Sequence, residues 1–418
     1  MAVVLPFADR QAFVYNPARP GLDLSRLVAP PYDVVPHNPA MAAQLRTDPY
    51  NITHLTLPSG GDAADSKYGN AGRLLEDWVD SEVLAPIPGC MLLYRQGFDF
   101  RGERHSRTAI MALVGLEEYG RRVIVPHEGT LQRDKDDRFE LMKATNGANL
   151  EPVFLLYKPS TDISLVVGRK RGDPFMDATF PYDGSRHSFW LLDTGECRVI
   201  TNALKDAKLL IADGHNRYET GLKYKGVVGG LGSQHIMAGL VSIGDPGLMI
   251  LPTYRVLDDA AAHAVNSVRG WGVIGEYFDI EYVSRQDFSN RLARKSEDDA
   301  VGLVIDGGSC VLTPNWEMQQ LTGNISFGRD VASIDWLLAT MGVREGISYQ
   351  GASGIEDVVD RQAVFVFNRI SAGALFSGFV DSGGGEDAGE KPAKLTYFSP
   401  KLISGAVVRA PNHARKAA

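Results

Sequence analysis

The 418-residue sequence has little cysteine, with only Cys90, Cys197 and Cys310 placed far apart along the chain. An odd number at these spacings makes neither a disulfide framework nor a zinc-finger pattern. It also lacks any apolar run near the roughly 18 residues that a membrane span requires. The N-terminus has no basic segment followed by a long apolar stretch, as a signal peptide would have. We therefore expect a cytoplasmic protein without a membrane association.

A surplus of positive charge is missing as well. Lys and Arg number 43 against 51 Asp and Glu, which gives a formal net charge of −8. Broad binding to nucleic acid is disfavoured because the chain has no excess of cations to displace the counterions of phosphates. The sequence also has no recognisable helix-turn-helix with basic exposed positions. We predict that nucleic acid is not a partner.

Glycine and proline are plentiful, at 44 and 22 residues. This content is typical of a loop-rich, mixed α/β or α+β chain, and the length predicts more than one domain. We predict an N-terminal α+β unit over 1–120, a middle unit over 121–250 and a C-terminal α+β unit over 251–418. The segment 381–394, DSGGGEDAGEKPAK, is poor in apolar residues and predicts a mobile loop.

Local patterns predict three hairpins. Two apolar arms flank a turn at 101–102. HSFWLLD (187–193) and CRVI (197–200) have the composition of paired strands. HIMAGLVSI (235–243) and LMILPTYRVL (248–257) are separated by Asp-Pro-Gly, which is strong turn chemistry.

The stretch IADGHNRYETGLKY (211–224) places an acid, a glycine, a histidine and an arginine at a predicted strand-to-helix corner. Glycine lets the backbone approach a ligand closely, and the N–H groups at a helix start favour an anion. Arg217 supplies a planar cationic fork that matches phosphate oxygens, and His215 supplies a further donor. Asp213 would repel a phosphate unless it binds a cation such as Mg²⁺ or handles a proton.

Three interpretations of this corner stay open. The first is a site for a metal–nucleotide or another phosphoryl substrate, which uses all four residue types. The second is a transition-metal site built from Asp213 and His215 with a ligand from elsewhere, such as His127. The third is purely structural: Asp213 caps the helix, Gly214 turns the chain and Arg217 is a solvated charge.

Two further segments carry candidate residues. In VPHEGT, His127 and Glu128 follow a predicted strand, where a glutamate serves as a cap, a surface charge or a catalytic base. Arg138, in the charged helix that follows, faces either phosphates or solvent beside acidic neighbours. Near the N-terminus, APPYDVV places Tyr32 and Asp33 on a rigid turn that is a candidate binding loop.

These motifs occur in the order seen in the bacterial and archaeal family called domain of unknown function 1015, whose members are sometimes labelled SpoOJ/ParB-like. The resemblance extends from about Leu5 to Val408. Its segments are APPYDVV, VPHEGT, ANLEPVFLLY, IADGHNRYETGLKY, ILPTYRVL and LTYFSPKLISG. The central order of strand, His-Glu, charged helix, strand and Asp-Gly-His-x-Arg is similar to ParB-like proteins, sulfiredoxin and the free serine kinases. It implies an α+β fold with a nucleotide-binding unit of that type over 121–250, flanked by two smaller α+β units.

The resemblance implies a nucleotide-dependent phosphotransferase that acts on a small hydroxyl metabolite such as free serine. Its cofactor would be ATP, ADP or CTP with Mg²⁺. The implied phosphate-binding residues are Gly214, His215, Asn216 and Arg217. The implied catalytic residues are Glu128 as base and Asp213 at the metal or the hydroxyl, with Tyr32, Asp33, His127 and Arg138 as substrate or support residues. The alternative is a non-catalytic, nucleotide-binding regulatory protein of ParB-like type.

The corner departs from the resembling proteins at one position. Asn216 stands where they usually have a second histidine, and asparagine can donate a hydrogen bond to phosphate but cannot shuttle a proton. Sulfiredoxin chemistry needs a cysteine at the position that Gly214 occupies, so that activity is disfavoured.

Overall fold

The computed structural model describes residues 1–60, 64–130, 132–295, 299–323, 325, 327–352, 363–382 and 394–411. Its chain forms two compact units. The first contains Met1–Pro126, Thr130–Leu248 and the chain from Pro400 onward; the second contains His127–Gly129 and Met249–Ser399. Most of the loop predicted at 381–394 lies outside the described residues.

Among its described residues, the first unit has a mixed sheet of nine strands and a small sheet of three. Its strands are β1 (Val4–Leu5), β2 (Ala12–Tyr15), β3 (Leu84–Pro86), β4 (Leu92–Phe100), β5 (Glu103–Gly115), β6 (Ile124–Pro126), β7 (Val153–Tyr157), β8 (Met176–Thr179), β9 (Arg186–Leu191), β10 (Leu209–Asp213), β11 (His235–Ser242) and, later in the chain, β19 (Val408–Arg409). The large sheet has the order β6-β10-β7-β11-β5-β4-β9-β8, with β1 also paired to β5, and the small sheet has the order β19-β2-β3.

The helices of the first unit pack around these sheets. They are α1 (Leu24–Leu27), α2 (Pro39–Leu45), α3 (Thr53–Thr56), α4 (Ala64–Asp80), α5 (Gln132–Ala144), α6 (Thr161–Val167), α7 (Thr194–Leu204) and α8 (His215–Val228). β7 is fully buried and β10 is buried up to its last residue, as expected of apolar strands in the middle of a sheet. α5 and α8 pack against each other. The end of β10 and the start of α8 therefore lie beside α5.

The second unit is an antiparallel sheet with helices. Its strands are β12 (Met249–Leu257), β13 (Phe278–Tyr282), β14 (Val301–Ile305), β15 (Gly308–Pro314), β16 (Ile347–Gly351), β17 (Ala363–Val366) and β18 (Thr396–Ser399). Its helices are α9 (Asp259–Val265), α10 (Val268–Tyr277), α11 (Arg285–Arg294), α12 (Trp316–Thr322), α13 (Arg329–Thr340) and α14 (Ala372–Phe376). The strand order is β13-β15-β14-β17-β12-β16, with β18 also paired to β12. In its core the fully buried Arg255 donates both Nε and Nη2 to the carboxylate of Asp335, at 3.0 and 2.9 Å.

The mixed α+β class is confirmed, and so is the hairpin at 101–102. Arg101 and Gly102 join β4 to β5 with φ values of 51° and 80°. Two-residue hairpin turns favour positive φ because it matches the twist of the flanking strands. Among the described helices, none combines the length and apolar character that crossing a membrane demands.

Two predicted hairpins are wrong. Residues 197–200 belong to α7, because Asp193 and Glu196 form a reciprocal capping box that starts a helix there. The segments 235–243 and 248–257 do contain strands, but these join different sheets: β11 pairs with β5 and β7, whereas β12 pairs with β16, β17 and β18.

The units also divide the chain differently from the predicted boundaries. β5 ends at Gly115 and shares one sheet with β6, β7, β10 and β11, so the strands on both sides of residue 120 belong to the same unit. The division between Leu248 and Met249 falls next to the predicted boundary at 250.

Candidate functional site

The corner between β10 and α8 is a tight turn centred on Gly214. This glycine precedes α8 with φ 89° and ψ 31°, a left-handed conformation that side chains disfavour. A Cβ atom at this position would lie 3.0 Å from three atoms of the Arg217 guanidinium. Glycine is therefore needed both for the backbone and for the close approach of Arg217. It also leaves the helix start without a side-chain cap.

Arg217 is buried and connects three parts of the corner. Its Nη2 donates to Asp213 Oδ2, and its Nη1 donates to the carbonyl of Pro152, just before β7. Burial opposes the charged form, but Asp213 and Glu151 raise the pKa of Arg217 above its ordinary value. Arg217 is thus not the solvated charge of the structural interpretation, nor does Asp213 cap the helix, since Gly214 occupies that position.

Lys401 also lies at this corner, although the sequence analysis did not predict it as a site residue. Its Nζ lies 3.0 Å from Asp33 Oδ2 and also donates to Asp213 Oδ1. Burial opposes its charge, yet Asp213 and Asp33 hold the pKa of Lys401 well above the ordinary value of lysine. The corner therefore contains a second cation. Its segment, SPKLISG, was among the resembling motifs, but no local pattern connected it with residues 211–224.

The N-terminal turn and α5 bring three of the predicted support residues to the corner. The Tyr32 hydroxyl lies 3.5 Å from the Asn216 amide nitrogen, and the guanidinium of Arg138 lies 4.1 Å from the centre of the Tyr32 ring. The backbone N–H of Tyr32 donates to the buried Glu151 at 2.7 Å. Burial, with the charge of Asp33, raises the pKa of Tyr32 to about 12. Tyr32, Asp33 and Arg138 are therefore placed together with 213–217, and Tyr32 is neutral at pH 7.

A small cavity of about 40 Å³ lies behind the first turns of α8. Its lining includes Arg138, Leu141, Asn149, Glu151, Arg217 and Thr220. Within the described chain, neither Nε of Arg217 nor the hydroxyl of Thr220 has a hydrogen-bond partner. A cavity of this size has room for an ordered water that would satisfy these two groups.

His127 and Glu128 belong to the second unit by their contacts. His127 is fully buried, with Nε2 2.8 Å from Thr396 Oγ1. Glu128 Oε1 accepts hydrogen bonds from the backbone N–H groups of Leu395 and Thr396, each at 2.9 Å. The structure thus assigns Glu128 and the corner to different units, and their joint role stays a prediction.

The contacts of Asp213 do not fit its predicted role as a ligand of Mg²⁺. One of its oxygens accepts from Arg217 and the other from Lys401, so cations already occupy the carboxylate. The described residues contain no group of three or more His, Cys, Asp or Glu side chains suited to holding a metal ion. The transition-metal interpretation of Asp213 and His215 consequently has no support from the geometry.

The structure is a mixed α+β protein in which the buried Arg217 and the largely buried Lys401 lie near the start of one helix. The sequence matches the family described as "Protein of unknown function (DUF1015)" over residues 4–335. The chain belongs to this family. No curated protein matches the sequence.

Several solved structures are similar to the chain. A mutant free serine kinase in complex with ADP has 13% sequence identity and a TM-score of 0.38, covering 69% of this chain and 87% of its own. A free serine kinase in complex with AMP has 14% identity and a TM-score of 0.38, and the match covers 69% of this chain and 86% of the kinase chain. A conserved hypothetical protein from Pyrococcus furiosus has 14% identity and a TM-score of 0.36, and the match covers 71% of this chain and 95% of that protein's chain.

Proposed function

We propose that the first unit binds the phosphate groups of a nucleotide at the start of α8. The observation that carries this proposal is that the start of α8 at Gly214, which has no side-chain cap, lies beside two cations: the buried Arg217 and the largely buried Lys401. The first N–H groups of a helix have no partner within the helix and carry a partial positive charge. Together these features favour an anion.

The charged side chains of the corner explain how such an anion would be held. Asp33 and Asp213 balance Lys401 and Arg217, so the charges of these four side chains cancel. A phosphate would share Lys401 with the aspartates and accept hydrogen bonds from the first turn of α8 and from the amide of Asn216. Asp213 would keep both cations in place. Asp213 would then orient the two cations for binding and would not hold a metal ion.

The finer proposal is phosphoryl transfer to a small hydroxyl compound such as serine. Phosphoryl transfer needs positioning, charge neutralisation and a carboxylate that orients the attacking hydroxyl. The sequence resemblance implies that Glu128 supplies this carboxylate. Its two hydrogen bonds from backbone N–H groups stabilise the ionised form that a base requires.

One observation favours a non-catalytic alternative. Both carboxylate oxygens of Asp213 are bound by cations, so this residue is poorly placed to accept a proton. A nucleotide-binding regulatory protein needs the phosphate site alone. The two functions differ in whether a phosphorylated product forms.

Binding is tested by calorimetric titration of the full chain with ATP, ADP and CTP, the nucleotides that the sequence resemblance implies. The informative variant is Asn216→Asp, because an acid in the first turn of a helix is favourable for folding but repels a phosphate. We expect at least about tenfold weaker ADP binding, the equivalent of 1.4 kcal/mol. The control is Asn202→Asp, the same charge change at an exposed position in α7. Equal affinities of the three proteins, or no binding to the wild type, would contradict the proposed site.

Catalysis is tested separately by incubating the protein with ATP or ADP and serine, with Mg²⁺ present, and following phosphoserine by ³¹P NMR. Glu128→Gln should abolish product while ADP affinity is retained. Nucleotide binding without any product selects the regulatory function. Full turnover of Glu128→Gln would exclude Glu128 as the base.

A further inference from the structure

Lys401 reaches the corner from residues 400–404, which we call the lysine segment. The segment has no regular helix or strand, apart from an isolated bridge between Ser404 and Ala29. Two of its carbonyl groups are held by side chains: Arg107 Nη2 donates to the carbonyl of Pro400, and Gln96 Nε2 donates to the carbonyl of Lys401 at 3.0 Å. The backbone on either side of the lysine Cα is therefore fixed.

The two side chains that hold this segment are a buried pair. Gln96 on β4 and Arg107 on β5 are direct partners in the sheet register, and they are 2% and 1% exposed. Arg107 also donates to Gln96 Oε1, and its guanidinium lies 4.8 Å from the ring centre of Phe154. The pair and the lysine segment form one hydrogen-bonded unit.

Burying a guanidinium is unfavourable unless its hydrogen bonds are satisfied. Burial lowers the pKa of Arg107 to about 10, which still leaves it cationic at pH 7. Two of its hydrogen bonds go to the amide of Gln96 and to the carbonyl of Pro400. The hydrogen bond from Arg107 therefore connects the irregular lysine segment to the buried part of the sheet.

We propose that Gln96 and Arg107 are positioning residues that hold Lys401 at the phosphate site. A lysine side chain has four rotatable bonds, and ordering it costs conformational entropy. Fixing the carbonyls of residues 400 and 401 sets where the side chain begins, and Asp33 and Asp213 set where Nζ ends. The proposal rests on the proposed function for its role in binding, but the placement of Lys401 can be measured without any nucleotide.

The first test measures how accessible Lys401 is to acetic anhydride, with mass spectrometry of the full chain after brief labelling. The exposed Lys170 is the internal reference. In the wild type we expect Lys401 to be labelled at least about tenfold more slowly than Lys170, because ion pairing keeps it protonated and burial shields it. Gln96→Leu removes the donor to the Lys401 carbonyl and should speed the labelling of Lys401 several-fold, whereas that of Lys170 should not change.

The matched control is Ser188→Ala, which removes another buried polar group of the same sheet that contacts Asp177 and not the lysine segment. If Gln96→Leu does not fold, Gln96→Glu replaces it: this variant keeps an acceptor for Arg107 and still loses the donor to Lys401. Unchanged labelling of Lys401 in the folded Gln96 variant, or equal changes in the Ser188→Ala control, would overturn the proposal.

The second test is a double-mutant cycle for ADP affinity with Gln96→Leu and Lys401→Met. If Gln96 acts through Lys401, Gln96→Leu should weaken binding about fivefold to tenfold in the wild-type background and have almost no effect beside Lys401→Met. Equal effects in both backgrounds would mean a general structural role and would overturn the proposal. A wild type that binds no ADP refutes the proposed function instead, and the labelling result then decides on the placement of Lys401.

Discussion

Replacing Gly214 by alanine is expected to destabilise the start of α8 and to weaken nucleotide binding. The left-handed backbone at φ 89° costs a residue with a Cβ atom about 1–2 kcal/mol. The new Cβ would lie 3.0 Å from Arg217, whose displacement weakens charged hydrogen bonds worth about 1.5–3 kcal/mol each. We expect a total loss of about 2–4 kcal/mol, since part of the contact relaxes.

Gly226→Ala, in the same helix, is the matched control. A Cβ atom there meets nothing within 4 Å, and the backbone φ is not positive. Alanine at an exposed helical position should therefore stabilise α8 by about 0.5–1 kcal/mol. The two glycine substitutions are predicted to have opposite signs.

The measurement is hydrogen exchange of the α8 amides under native conditions, because chains of two units depart from two-state unfolding and exchange reports local stability. ADP affinity is measured on the same samples. Exchange should accelerate in Gly214→Ala and slow in Gly226→Ala. Equal protection of α8 in Gly214→Ala and wild type would refute the explanation of this glycine by backbone conformation and contact with Arg217.

Three further predictions concern the remaining buried polar groups. Glu128→Ala leaves two backbone N–H groups without their acceptor and should lower local stability by about 2–4 kcal/mol, measured by native-state hydrogen exchange of the β18 amides, whereas Glu128→Gln should cost less than half as much. Asp335→Ala leaves the fully buried Arg255 uncompensated and should cost about 3–5 kcal/mol, whereas the double variant with Arg255→Met should be distinctly more stable than Asp335→Ala. Burial lowers the pKa of His187 to about 4 from 6.5, so stability should be complete above pH 6.5 and fall as the pH drops towards 4, by up to about 3 kcal/mol. Thermal unfolding of wild type and His187→Gln over this pH range checks the last prediction, and identical slopes would contradict it.

The parts of the fold that the sequence predicted correctly are those governed by local patterns. β7 and β10 are continuous apolar runs, and the Asp-Gly-His-x-Arg corner is contained within a few residues. The start of α7 also had a local signal, since Asp193 and Glu196 have capping-box spacing. The β-branched Val199 and Ile200 suggested a strand. Two such residues favour a strand only weakly, and the capping box starts a helix instead.

The role of Lys401 could not be predicted because it depends on contacts between distant parts of the chain. Lys401 is 188 positions from Asp213 and 368 from Asp33. Pairing of β4 with β5 and the hydrogen bonds of Gln96 and Arg107 bring its segment to the corner. No periodicity or motif spacing encodes such a meeting. Arg138 illustrates the same point, since its charged helix looked solvated while the residue itself is buried.

The most direct test of the proposed phosphate site is a crystal structure of the full chain grown with ADP. We predict phosphate oxygens within hydrogen-bond distance of the backbone N–H groups at the start of α8 and of Lys401 Nζ. An ADP molecule bound elsewhere, or a corner without nucleotide at a millimolar concentration that calorimetry shows to be saturating, would contradict it.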